Sequence, residues 1–268
     1  MDINQIIGYI LAVAVGITLG LIGSGGSILS VPILVYIMGI EPVLATAYSL
    51  FIVGCSALFG GIQKAQQQLV DFQKVISFGI PSIVAVFLTR KLIIPNVPDV
   101  IFATDFFTLH KSVMIMVLFS IVMIFAATRM ITTQNVTTLS GDNQTQNYGK
   151  IIAQGLLIGC TAGFVGAGGG FLIIPALLFL TKIPMKKAIG TSLIIVAFQS
   201  LIGFIGDIRP EQDLDWKVLL IFTSCAILGI LIGNQLSKKI DGSKLKTAFG
   251  WFVLSMGVYI IMKELFFH

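Results

Sequence analysis

Charge is what this sequence has least of. Lysine, arginine, aspartate and glutamate together make 11% of 268 residues, against about 25% in an ordinary soluble domain. With 56% hydrophobic residues, a soluble core of this size has no room for the apolar surface, so a soluble globular fold is excluded. Cysteine is nearly absent: Cys55, Cys160 and Cys225 stand alone in apolar runs, without the spacing of a disulfide framework or zinc site. They read as small buried apolar residues. The two histidines, His110 and His268, lie at a segment edge and at the last position. They offer no Ser/His pair for hydrolysis within a membrane, and Ser24 in GSGG is no nucleophile. The phosphate-cradling pattern GxxxxGK[ST] is missing, which excludes a nucleotide-driven motor in this chain. No acidic or basic side chain falls deep in an apolar run. Lys64, Asp71, Arg90, Lys91 and Asp207 stand near run ends, where long side chains reach the interface. No cofactor is marked, and no relay names a coupling ion, whether proton or sodium.

What is present is a succession of apolar runs at 5–22, 28–38, 43–60, 74–94, 111–131, 151–166, 171–181, 188–205, 216–236 and 245–262. Several approach the ~20 residues that cross a bilayer as helix. The expected fold is an all-α, multi-pass integral membrane protein whose first partner is the lipid bilayer. The opening MDINQ carries no basic stretch before its apolar run, so residues 5–22 are expected to stay as a helix rather than be cleaved. The pI of 9.1 raises nucleic acid as a partner, but the basic residues are scattered over short connections and form no patch. Membrane topology accounts for them, and no nucleic-acid partner is expected.

The chain repeats itself. GITLGLIGSGGSILSVP from Gly16 matches GCTAGFVGAGGGFLIIP from Gly159, a shift of 143 positions. In that register Ala45, Ser49, Leu50 and Gly60 recur as Ala188, Ser192, Leu193 and Gly203. This predicts a duplicated unit: residues 1–131 as the first transmembrane repeat, the polar stretch 132–149 as a linking loop, and 150–268 as the second repeat. Five segments per repeat is an odd number, so the second repeat enters the bilayer inverted. Lysine and arginine agree. With the amino terminus outside, the inside connections hold eleven of the 17 basic residues and the outside connections six, the excess that cytoplasmic loops carry. Both termini are therefore expected outside the cytoplasm of a cell inner membrane. No feature of the sequence sets an oligomeric state.

Two glycine-rich loops, Gly23-Ser24-Gly25-Gly26-Ser27 and Gly166-Ala167-Gly168-Gly169-Gly170, precede runs of only 11 residues, about half a bilayer in helical length. Each short run is expected to form a hairpin with the helix before it. Irregular backbone at membrane depth must face protein or a wet cavity. Free N–H groups at a helix start favour anions, so the loops are read as half-helix anion sites for a small anionic substrate. Pro32 and Pro175 free a carbonyl one turn earlier and kink the short helices. Gly16, Gly20, Gly159 and Gly163, spaced by four, read as close helix packing. Thr46, Ser49, Thr191 and Ser192 near the starts of long segments serve either as caps or as ligand contacts. Gln199, a large amide inside 188–205, either bonds a neighbouring helix or lines the path.

GLIGSGGSILSVP and GFVGAGGGFLIIPALL, each followed by A-x-x-x-S-L, resemble the TauE/SafE family, the sulfite exporter or four-toluene-sulfonate uptake permeases. The resemblance covers nearly the whole chain. It implies a secondary transporter, not an enzyme, for sulfite, sulfoacetate, a taurine-like molecule or another organosulfonate. Gly23, Gly25, Gly26 and Pro32 fit the first motif and Gly166, Gly168, Gly169 and Pro175 the second. Alternating access at the two loops is the expected mechanism; an anion channel and a non-transporting membrane scaffold are the alternatives.

Overall fold

The computed structural model describes residues 3–98, 100–104, 107–132, 148–165, 173–174, 177, 183–207, 214–237 and 242–266. The second glycine loop with Gly166, Gly168, Gly169 and Gly170, together with Pro175 and most of the 132–149 link, lies outside them. In chain order the helices are α1 (Ile3–Ile22), α2 (residues 24–37), α3 (Pro42–Gln66) and α4 (Phe72–Asn96). After them come α5 (Lys111–Thr132), α6 (Tyr148–Val165), α7 (Met185–Asp207), α8 (Trp216–Leu236) and α9 (Gly242–Phe266). Among the described residues, α1, α3, α4, α7 and α8 are long and apolar enough to cross a membrane. The connection from α4 to α5 is a small antiparallel hairpin, β1 (Val100–Thr104) against β2 (Phe107–His110).

Helix starts follow local chemistry. Glu41 caps α3 by accepting from Leu44 N–H at 3.0 Å, with Pro42 in the first turn, where its missing N–H costs nothing. Asp71 caps α4, and Asp215 caps α8 through Lys217 and Val218 N–H. Two wide π turns interrupt α4, Val75–Gly79 and Thr89–Ile93. Each ends two residues before a proline, Pro81 and Pro95, whose ring cannot donate into the ladder. The segment α2 is a 3-10 turn (Ser24–Leu29), a short α piece (Ser30–Pro32) and a π turn (Ile33–Ile37). Helix therefore begins at Ser24, earlier than the apolar run starting at 28. Its far end returns to the start of α1, since a Cβ on Gly8 would meet the Met38 side chain at 2.7 Å. The hairpin of α1 and α2 is as expected.

Exposure is inverted relative to a soluble protein. Ile3 is 76% exposed and Leu157 68%, while Ser49, Ser56, Ser82, Thr191 and Gln199 are fully buried. A surface of this kind is stable only against lipid tails. All three cysteines are unpaired, but Cys160 is exposed on α6 and Cys55 and Cys225 are half-buried. The expected full burial fails because helix faces turned to lipid accept small apolar residues as readily as the protein interior does.

The packing of α1 on α8 recurs, shifted by 143 residues, as that of α6 on α4. Gly16 and Gly20 of α1 lie on Ala226, Gly229 and Gly233 of α8, the two helices running parallel. Gly159 and Gly163 of α6 lie in the same way on Ser82, Ala85 and Thr89 of α4. The expected packing role of these four glycines holds. In the centre α3 and α7 run antiparallel, with Gly54 beside Leu201 and Gly61 beside Ile194. Contacts there are reciprocal: Gly60 meets Leu193 and Ile230, and its counterpart Gly203 meets Leu50 and Val86.

Candidate functional site

The first glycine loop joins α1 to α2. Gly23 has φ +79° and ψ −147°, a conformation that side chains disfavour. A Cβ there would also stand 2.9 Å from Ile189 Cγ2 on α7. In the 3-10 turn that opens α2 each N–H reaches three residues back, so Gly26 N–H falls within the turn's own ladder and the N–H groups that precede it belong to Gly23, Ser24 and Gly25. The hydroxyls behave otherwise. Ser27 Oγ donates to Ser24 O at 2.8 Å, and Ser30 Oγ lies 2.6 Å from Ser27 O and 2.7 Å from Ser49 Oγ. Ser27 is committed to the loop's own backbone, and Ser49 ties α3 to α2 through Ser30, a residue the sequence reading passed over.

The other candidates divide between two ends and the centre. Thr191 Oγ1 accepts from Asp71 N–H at 2.9 Å, and Ser192 Oγ donates to Ile189 O. Gln199 Oε1 accepts from Ser82 Oγ at 2.9 Å, so this amide does bond a neighbouring helix. Thr46 does not cap α3, since Glu41 does; Thr46 Oγ1 donates to Val43 O and accepts from Arg90 Nη1 at 3.0 Å. Tyr48 Oη, at the same end, accepts from the Asp215 N–H and links α3 to the start of α8.

Arg90 corrects the sequence reading. Expected near an end and reaching to the interface, it is 0% exposed and pairs with Asp207, itself buried, at 3.1 Å. The helix carrying it continues to Asn96, and Arg90 lies within the π turn Thr89–Ile93. Its Nη1 meets both Asp207 Oδ2 and Thr46 Oγ1. Its Nε and Nη2, and the adjacent Thr89 Oγ1, are buried with no hydrogen-bond partner among the described residues. An unmet buried donor costs about 1–3 kcal/mol, more when charged. Lys64 and Lys74 are buried as well, Lys64 Nζ donating to Ser237 Oγ at 3.1 Å. Lys91 lies exposed over the Phe87 ring, and Asp71 sits half-buried at the start of α4, both at run ends as expected. Removing these buried cations from both sides of the lysine and arginine balance leaves its sign unchanged. A second polar junction lies where Asn234 Nδ2 donates to Gln63 Oε1 at 2.6 Å.

Apolar outer faces, buried hydroxyls and an internal ion pair, and helices packed through glycine define a multi-pass helical membrane protein. A model of the sulfite exporter TauE/SafE family matches residues 9–260, and the chain belongs to that family of membrane transporters. It is 30% identical over 255 residues to a probable membrane transporter protein of Xylella fastidiosa strain 9a5c, covering 93% of this chain and 92% of the relative. It is 25% identical over 272 residues to a probable membrane transporter protein of Methanocaldococcus jannaschii, covering 96% and 94%. No solved structure matches it.

Proposed function

We propose that this protein is a secondary transporter of a small sulfur-containing anion, sulfite or an organosulfonate such as sulfoacetate, working by alternating access between two inverted repeats. The observation that carries the mechanism is the reciprocal crossing of α3 and α7. The contact of Gly60 with Leu193 recurs, under the 143-residue shift, as that of Gly203 with Leu50, as self-complementary contacts about a two-fold axis do. In helices that cross a membrane, such an axis lies in its plane. It supports inverted repeats at 1–131 and 150–268, and the lysine and arginine excess is what makes residues 132–149 the cytoplasmic link and puts both termini outside in this reading. The substrate class rests on the family's description as sulfite exporters. In this reading the anion meets the loop backbone at Gly23, Ser24, Gly25 and Gly26 from one side. The loop of Gly166, Gly168, Gly169 and Gly170 takes it from the other.

Purified protein in liposomes tests the proposal. Saturable exchange of radiolabelled sulfite or sulfoacetate, without single-channel current, is the expected result. Unitary currents would make it a channel, and absence of any flux in protein of intact fold would leave the scaffold reading.

A further inference from the structure

We infer that Arg90 is an anion-binding group of this transporter, its Nε–H and Nη2–H edge gripping two oxygens of the sulfonate, sulfite or carboxylate group of the substrate. The inference rests on the anion-transport reading above and deepens it. A guanidinium offers five N–H donors in a rigid plane. Here Nη1 is occupied by Asp207 Oδ2 at 3.1 Å and Thr46 Oγ1 at 3.0 Å, which fixes the plane and leaves the opposite edge without an acceptor among the described residues. That edge is the fork that binds planar or tetrahedral oxyanions through two parallel bonds.

The unpartnered Thr89 Oγ1 adds a hydroxyl beside it in sequence. Thr89 packs on Gly163, three residues before the second glycine loop opens. A buried arginine that served only to neutralise Asp207 would turn its two-nitrogen edge to the carboxylate; this one presents a single nitrogen and keeps the better edge free. Asp207 then holds the guanidinium in place and, by its own charge, restrains how tightly the anion is held.

The test uses the full chain in lipid nanodiscs, with sodium sulfite and sodium sulfoacetate as probes and sodium chloride as the ionic-strength control. Calorimetry gives Kd and thermal unfolding gives Tm. Arg90→Lys keeps the charge but loses the fork and is expected to weaken binding at least tenfold. The neutral pair Arg90→Gln with Asp207→Asn is expected to remain folded and to lose binding. Asp207→Asn alone is expected to melt lower without probe, yet to gain more from the probe than wild type, because the anion then compensates the unpaired guanidinium. Wild-type affinity in Arg90→Lys and in the neutral pair would overturn the inference and leave the transport reading standing. An Asp207→Asn probe shift no larger than that of wild type would also overturn it, even if both Arg90 variants failed to fold. Absence of binding by wild-type protein would overturn both.

Discussion

Gly20→Val should destabilise the protein through one crossing. A Cβ at this position would stand 2.6 Å from Asn234 N and 2.6 Å from Ile230 O, against about 3.5–4.0 Å for ordinary carbon contacts. Those atoms are backbone of α8 and cannot turn aside, so α1 and α8 must separate by about 1 Å. Such a gap forfeits roughly a quarter to a half of each contact's attraction, and overpacking of this kind costs about 1–3 kcal/mol. Relief from replacing glycine in a helix is only a few tenths of a kcal/mol for valine, which does not change the sign. Gly163→Val meets the Thr89 side chain instead, at 2.7 Å from its Cβ, and should fall in the lower half of that range. Gly79→Ala, where the new atom would stand 3.3 Å from Ile195 Cγ1, should change little. Reversible unfolding by SDS titration, followed by circular dichroism, measures all three. Gly20→Val within about 0.3 kcal/mol of wild type, or less damaging than Gly163→Val, would refute the packing argument.

Gly26→Val should abolish transport while the purified protein stays monodisperse, since a β-branched side chain blocks approach to the loop backbone. Ser24→Ala should weaken binding far less; equal uptake by Gly26→Val and wild type would move the site away from the loop. Ser82→Ala and Gln199→Leu should show a coupling of about 0.5–1.5 kcal/mol in a double-mutant cycle of SDS unfolding, and additive losses would mean that their 2.9 Å bond carries no weight. Single cysteines at Thr138 and Gln212, in a variant lacking the native three, should react with an impermeant maleimide from opposite sides of the membrane. Labelling from one side would make the repeats parallel.

Spans and packing glycines were legible because both are written in composition: apolar length marks α1, α3, α4, α7 and α8, and spacing by four marks Gly16, Gly20, Gly159 and Gly163. Arg90 and Asp207 were not. Arg90 stands within one turn of the end of its apolar run, so by hydropathy alone it reads as reaching for water. Only the tertiary arrangement shows that opposite charges on α4 and α7 close on each other. The hydroxyls escaped for a related reason. Whether Ser27 faces substrate or its own backbone depends on a 3-10 turn that begins at Ser24, and no periodicity in an apolar run announces it.

The pairing of α1 with α8 has a consequence for how the protein is made. Gly20 finds its partner at Gly233, 213 residues later in the chain. At about 5–20 residues per second, synthesis of that interval takes roughly 10–40 s. Throughout it the small-residue face of α1 lies in the bilayer without its mate, covered by lipid, a neighbouring nascent segment or an insertion factor. Biogenesis thus runs by storage and late exchange, each opening helix waiting for, or arriving to join, the third long helix of the other half. Neither half synthesised alone contains the partner its first helix is shaped to meet.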